Sequence, residues 1–170
     1  YYKFNPVYFI NFGGGQNALY GYVCAFFMKL FGLSLSVIRI PAVLSGMVTW
    51  LFGTLILREY FEKKFTLLGS FMIAVLPCFI LQSRIGLESL LFLSTSTAAL
   101  YFMILSVRKE KWWLYGLTGC AFGISLYTYA VSYLVVPIFL VLMLSYLLYL
   151  KKLRWKYVLS MGVPLAILAA

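Results

Sequence analysis

Histidine is absent from this 170-residue sequence, and only four of its residues are acidic. Without an imidazole there is no Ser-His-Asp triad, no Cys-His pair and no histidine-ligated metal centre in this stretch of chain. The three cysteines, Cys24, Cys78 and Cys120, are far apart, so they form neither a CxxC knuckle nor an even disulfide framework. We expect each of them to pack as a small apolar side chain.

Charged residues of either sign are scarce as well. They make up 11% of the chain, whereas 64% of it is hydrophobic. A soluble domain has about 25% charged and about 45–50% apolar residues. Because so few polar side chains cannot cover a water-exposed surface, the composition predicts an all-α fold, a polytopic bundle of transmembrane helices.

The net charge of +10 does not indicate a nucleic-acid partner, because no basic stripe follows one polar face. Ten of the fourteen lysines and arginines instead form three short clusters between apolar runs: Arg58, Lys63 and Lys64; Arg108, Lys109 and Lys111; and Lys151, Lys152, Arg154 and Lys156. Such clusters carry topology information, since the cytoplasmic loops of membrane proteins are enriched in Lys and Arg.

The uncharged runs match the thickness of a bilayer, which a helix of about 20 apolar residues can cross. The runs that follow Arg39, Lys64 and Glu88 contain 18, 19 and 19 residues. The run 112–150 contains 39 residues, too many for one helix, so it is predicted to fold back at the tyrosine-rich turn 127–133. The predicted spans are about 39–58, 65–83, 88–107, 112–128, 133–150 and 157–170.

These spans give a consistent orientation. If the cluster that contains Lys63 is cytoplasmic, the other two basic clusters are cytoplasmic as well, while the loop 83–88 and the turn 127–133 face outwards. This arrangement satisfies the positive-inside rule, whereas a single span over 112–150 would break it.

The first sixteen residues mix Tyr, Phe, Asn and Gly, and are predicted to form an outer loop because they cannot form a span. The next segment, 17–31, is apolar but contains Asn17 and Lys29, and only seven residues separate it from Arg39. We therefore predict that 17–31 is an interfacial helix in the first outer loop; the alternative, a true span, would place the preceding loop inside.

The chain begins without Met and ends within an apolar run, so we expect it to be part of a longer protein.

Glu88 is set apart from the other acidic residues, Glu59, Glu62 and Glu110, which lie within basic clusters as solvated loop charges. It lies at the predicted outer membrane boundary, four residues after Arg84. If this stretch is helical, the two side chains share one face. One interpretation is a surface ion pair in which Arg84 reaches a lipid phosphate. The other is a functional site, since ionisable groups at membrane depth usually serve one.

An arginine at this boundary suits a phosphate ligand, because its planar guanidinium makes two charge-assisted bonds to phosphate oxygens. Arg39, also on the predicted outer side, could join Arg84 in holding that phosphate. Gln16 and Asn17 could contact a polar substrate. They follow the glycine run 13–15, which lacks the spacing of a nucleotide-binding loop.

Five short segments carry a family resemblance: Gly-Gly-Gly-Gln-Asn-Ala-Leu-Tyr (13–20), Leu-Phe-Gly-Leu-Ser (30–34), Ile-Arg-Ile-Pro-Ala (38–42), Ser-Arg-Ile-Gly-Leu-Glu (83–88) and Leu-Tyr-Thr-Tyr-Ala (126–130). In this order, and with the predicted topology, they resemble bacterial membrane glycosyltransferases of the GT-C superfamily. The group is that of the protein O-mannosyltransferases and aminoarabinose transferases (glycosyltransferase family 39-like). The chain would form the N-terminal part of their membrane domain.

The resemblance implies transfer of a sugar from a polyprenyl-phosphate donor to an acceptor, at the outer face of the bacterial inner membrane. The implied partners are the lipid-linked sugar, the bilayer and an unidentified acceptor. The family's catalytic aspartate is expected upstream of Tyr1. By position, Arg84 and Glu88 resemble the family's outer-loop basic and acidic pair, and Gln16 and Asn17 lie in the substrate-facing loop. With Arg39 added because it also lies on the predicted outer side, the assigned residues are Arg84 and Arg39 for the donor phosphate, and Glu88, Gln16 and Asn17 for the substrate. A divalent cation is left open as a cofactor, and no metal ligand is assigned.

Two other functions fit the same topology. The first is a transporter or flippase for a lipid-linked sugar, although the absence of charges from the centres of the spans counts against ion-coupled transport. The second is a non-catalytic membrane scaffold.

Overall fold

The computed structural model describes residues 8–11, 14–149 and 155–169. For residues 8–11, 14–16 and 169 it describes the backbone alone. Its elements are β1 Tyr8–Asn11, β2 Gly14–Asn17, α1 Ala18–Phe31, α2 Leu35–Tyr60, α3 Lys63–Val75, α4 Pro77–Ile85, α5 Glu88–Lys109, α6 Trp112–Leu126, α7 Ser132–Tyr149 and α8 Trp155–Ala169. The predicted all-α helical bundle is confirmed. The antiparallel hairpin β1–β2 is a small addition within the segment predicted as a loop.

Three of these helices, α2, α5 and α7, are long and apolar enough to cross a membrane. In each of these helices, at most 28% of an 18-residue apolar stretch is buried in the bundle, so most of the apolar surface of the helix is free to face lipid. The chain is therefore a multi-pass membrane protein.

Helices α6 and α8 have 15 residues each. Each is about 22 Å long, which is shorter than the hydrocarbon core of a bilayer, about 30 Å thick. The spans 112–128 and 157–170 stay predictions.

The segment predicted as the span 65–83 is divided between α3 and α4, which meet at an angle of 41°. Pro77 begins α4, and Leu76 before it leaves the helical conformation, with φ −60° and ψ 120°. The cause is steric, because the ring of a proline disfavours the helical region for the preceding residue. The pair forms one broken span or a re-entrant segment, not a straight helix.

Helix α6 is packed between α5 and α8 and also contacts α7. A glycine allows α8 to approach closely, since a Cβ at Gly119 would lie 2.2 Å from the carbonyl oxygen of Met161. Small residues permit such close packing of membrane helices. The rings of Tyr115 and Tyr157 stack across the same interface, with 4.5 Å between their centroids.

One end of the bundle, which we call the basic end, is defined by Glu59, Arg108, Glu110 and Tyr157. Glu59 forms an ion pair with Arg108, whose guanidinium lies 6.0 Å from the centre of the Tyr60 ring. The Tyr157 hydroxyl donates to the Glu110 carbonyl over 2.9 Å. The last turns of α2 and α5 therefore meet, and the start of α8 lies beside the end of α5.

The opposite end, which we call the Glu88 end, is defined by Asn17, Ile38, Gly86, Glu88 and Leu126. Helix α5 separates the two ends with its 22 residues, about 33 Å in length. The loop before α5 and the start of α8 thus lie at opposite ends of the bundle. Which end faces outwards stays a prediction. In the third basic cluster, Lys151, Lys152 and Arg154 lie outside the described residues.

Candidate functional site

The loop between α4 and α5 separates Arg84 from Glu88. Gly86 adopts a left-handed conformation, with φ 79° and ψ 48°, and its N–H donates to the Gln82 carbonyl over 3.0 Å, which ends α4. Arg84 is exposed in the last turn of α4, and Glu88 is half-buried as the first residue of α5. The stretch is therefore not one continuous helix, so the condition under which Arg84 and Glu88 would share a helix face is not met. No ion pair joins these two described side chains.

Gly86 also marks the point where the loop meets α1 and the start of α2. The Tyr20 hydroxyl donates to the Ile38 carbonyl over 3.3 Å. A Cβ at Gly86 would lie 3.2 Å from that hydroxyl and 3.9 Å from that carbonyl oxygen. Burial raises the pKa of Tyr20 well above its ordinary value, so the hydroxyl stays protonated and keeps donating. A side chain at position 86 would be disfavoured both by the positive φ and by this contact.

Asn17 connects Glu88 to the end of α6. Its backbone N–H donates a hydrogen bond to the Glu88 carboxylate. Its side-chain amide donates to the Leu126 carbonyl over 3.1 Å, and the Ser132 hydroxyl donates to the same carbonyl over 3.1 Å. Only 5% of Asn17 is exposed. The Asn17 side chain is thus a buried link between segments 109 residues apart, and the substrate contact assigned to it from the sequence stays a prediction.

The two arginines assigned to a phosphate are both exposed at the Glu88 end. Arg39 lies in the second turn of α2, directly after Ile38, which accepts the Tyr20 hydrogen bond. Arg84 lies two residues before Gly86, which packs against the same Tyr20 hydroxyl. Because both flank one contact, their long side chains are anchored on neighbouring elements.

Gln16 lies in β2, where it pairs with Phe9 in the hairpin, and its side chain is outside the described part of the structure. The contact with substrate assigned to Gln16 stays a prediction. Its backbone position is next to Asn17, so β2 leads directly into the Glu88 end.

Metal ligands are few at this site. Within the described ranges, no group of three or more His, Cys, Asp or Glu side chains could hold a metal ion. Three of the four acidic residues of the sequence, Glu59, Glu62 and Glu110, lie at helix ends beside the basic clusters. A cation at the Glu88 end would therefore find one carboxylate, that of Glu88, among the described residues.

The comparison with known families decides what kind of protein this is. A family model described as dolichyl-phosphate-mannose-protein mannosyltransferase matches residues 17–170. The chain belongs to this mannosyltransferase family. The GT-C resemblance is thereby confirmed, and the chain is a mannosyltransferase-like membrane glycosyltransferase. No curated protein and no solved structure matches it.

The mannosyltransferase-like chain uses residues at this site that sequence reasoning did not single out. Tyr20, Ile38, Leu126 and Ser132 contribute a phenol, two carbonyls and a hydroxyl to the contacts that hold the Glu88 end together. The available signal was indirect, because four of the five segments that carry the resemblance contain residues of this end. No local pattern in the sequence pairs Asn17 with Leu126.

Proposed function

We propose that this chain forms part of an enzyme that transfers a sugar from a polyprenyl phosphate to an acceptor, and that the reaction takes place at the Glu88 end, on the outer face of a bacterial inner membrane. Family membership supports glycosyl transfer, and the family description names a mannose carried on dolichyl phosphate, which is a lipid of this type. The observation that supports this proposal most is the half-buried Glu88 carboxylate, which accepts a hydrogen bond from Asn17 and lies at the same end of the bundle as the exposed Arg39 and Arg84, opposite the basic end.

The arginines suit the donor. A polyprenyl tail stays in lipid, so its phosphate reaches the protein at the membrane boundary. Arg84 and Arg39 are exposed there and can make bidentate bonds to phosphate oxygens. Their charge would stabilise the phosphate as it leaves the sugar, the kind of preorganised electrostatic stabilisation that contributes most to such reactions.

The carboxylates suit the acceptor and the sugar. In the transfer, the bond between the sugar C1 and the phosphate oxygen breaks, and an acceptor oxygen or nitrogen bonds to C1. The acceptor proton passes to a carboxylate, which we assign to an aspartate upstream of Tyr1. Glu88 would accept hydrogen bonds from sugar hydroxyls, with Gln16 as a further contact and Asn17 as the residue that positions the carboxylate.

Turnover by the full-length protein in proteoliposomes tests this function. Radiolabelled polyprenyl-phosphate sugars are supplied, and transferred label is counted. We expect Arg84→Ala to lower turnover by about 100-fold or more, in the range found when one group that stabilises transition-state charge is removed. Arg58→Ala is the matched control, because Arg58 is also an exposed arginine near a helix end but belongs to the first basic cluster.

Near-normal turnover by the Arg84→Ala variant would remove Arg84 from the site. Movement of the sugar lipid across the bilayer, without label appearing on any acceptor, would contradict glycosyl transfer and favour the flippase alternative.

A further inference from the structure

A second open site lies far from Glu88. A groove of about 1270 Å³ runs between α6 and α8, beginning at the basic end. One wall extends over residues 110–120, from the connection between α5 and α6 into α6, and the other wall over residues 156–164 of α8. The mechanism proposed above uses none of these residues.

The mouth of this groove is positively charged. Lys111 and Lys156, one from each wall, are exposed there, and the single carboxylate at the mouth is that of Glu110. Trp112 and Trp113 lie beside the lysines and are 67% and 48% exposed. Exposed tryptophans next to lysines are typical of the level at which membrane and water meet. We therefore expect the mouth to lie at the level of the phospholipid headgroups.

The interior of the groove is apolar. Beyond the mouth, the groove is lined by Leu117, Cys120, Val163 and Pro164. Gly116 also lines the groove and contributes no side chain to it. The Ser160 hydroxyl does not make the wall polar, because it donates to the Trp112 carbonyl over 2.7 Å. From residue 111 to residue 120 the wall rises about 14 Å along α6, close to half of a hydrocarbon core of about 30 Å. That length matches an acyl chain within one leaflet.

We propose that this groove binds an anionic glycerophospholipid of the leaflet at the basic end, with its phosphate between Lys111 and Lys156 and one acyl chain along α6 and α8. Ammonium groups bind phosphate as compact point charges, and basic pockets between membrane helices on the cytoplasmic side attract anionic lipids. A water-soluble phosphate would leave the apolar wall uncovered, and a zwitterionic lipid would lack the net charge that the two lysines complement.

Lipid binding to the full-length protein in detergent tests the assignment. Native mass spectrometry counts bound phosphatidylglycerol in a titration, with phosphatidylcholine as the zwitterionic comparison. We expect the double variant Lys111→Gln with Lys156→Gln to weaken binding of the first phosphatidylglycerol at least fivefold. Lys63→Gln with Lys64→Gln is the matched control, since it removes the same charge from exposed lysines of another basic cluster, and we expect less than a twofold change.

Cys120 reports on the position of the lipid, because it is a free thiol inside the groove. Phosphatidylglycerol is expected to slow its alkylation by N-ethylmaleimide at least threefold in the unmodified protein, as measured by peptide mass mapping. Phosphatidylcholine and glycerol phosphate are expected to leave the rate unchanged.

Several results would overturn the proposal. Equal protection of Cys120 by phosphatidylcholine would show that the phosphate is not recognised, and protection by glycerol phosphate would show that no lipid is needed. A thiol that is unreactive in the absence of lipid would show that protein covers the groove. Unchanged phosphatidylglycerol affinity in the variant lacking Lys111 and Lys156 would remove the lysines from the site. The comparisons made on the unmodified protein hold even if that variant fails to fold.

Discussion

Asn17 joins three parts of the Glu88 end through one residue. It precedes the first turn of α1, its backbone N–H donates to the Glu88 carboxylate, and its amide donates to the Leu126 carbonyl. An asparagine in this position usually caps its own helix, but here the side chain makes no such bond. It satisfies a carbonyl of α6 instead, so its loss would disturb tertiary positioning more than the helix itself.

The residue-scale prediction compares Asn17→Ala with Ser132→Ala. Each variant removes one of the two hydrogen bonds to the Leu126 carbonyl, so each should lower the free energy of unfolding by about 1 kcal/mol. Asn17→Ala keeps the backbone N–H that donates to Glu88 but loses the amide bond to Leu126 that holds this backbone in place. Because small misplacements of a reacting geometry are costly, only Asn17→Ala should lower turnover, by about tenfold. Thermal unfolding and the transfer assay measure the two effects separately. Equal activity of the two variants would show that Asn17 has no positioning role.

At the residue scale, sequence reasoning singled out Glu88 because a single carboxylate at a predicted membrane boundary is unusual, and its role in the site stays a prediction. It did not predict the bond between the Asn17 side chain and Leu126, because that bond depends on how distant segments pack. Local patterns report neighbours three or four positions apart, and even the Arg84–Glu88 spacing was misleading once Gly86 adopted a positive φ.

At the scale of elements, the interface between α6 and α8 depends on the absence of side chains. Gly119 lets the backbone of α8 come close enough that an added Cβ would meet the Met161 carbonyl oxygen at 2.2 Å. The obstacle is backbone, which cannot rotate away as a flexible side chain does. Overpacking of this kind usually costs about 1–3 kcal/mol.

We therefore expect Gly119→Ala to lower the unfolding temperature of the detergent-solubilised protein by several degrees, in line with about 1–3 kcal/mol. Gly162→Ala is the control, because a Cβ there meets no atom within 4 Å and alanine favours helix over glycine. That variant should unfold at the same or a slightly higher temperature. If both variants unfolded at the wild-type temperature, α8 would not pack against α6 as the structure has it.

At the scale of the whole molecule, the two ends of the bundle carry different chemistry. The basic end contains the Glu59–Arg108 ion pair and the exposed lysines, whereas the Glu88 end contains the half-buried carboxylate and the two arginines proposed to bind phosphate. The positive-inside rule assigns the basic end to the cytoplasm. The proposed reaction is then confined to the outer face.

Cysteine labelling in intact cells checks this orientation in a variant without native cysteines. Ile85→Cys, at an exposed position of the Glu88 end, should react with an impermeant maleimide from outside. Lys109→Cys, exposed at the other end of α5, should react only after permeabilisation. Labelling of both positions from the same side, or in the reverse order, would overturn the topology and with it the outer-face reaction.

Composition and charge spacing by themselves determined the helical class, the membrane environment and the approximate places where helices end. Each of these depends on a local property: the length of an apolar run compared with the thickness of the bilayer, or the preference of charged side chains for water. The tertiary structure alone decided which helix ends meet. It brought Asn17 to Glu88 and Leu126, separated Arg84 from Glu88 at Gly86, and opened the groove between α6 and α8. Those features depend on packing between distant segments, where a glycine or a buried amide acts through neighbours that the local sequence does not reveal.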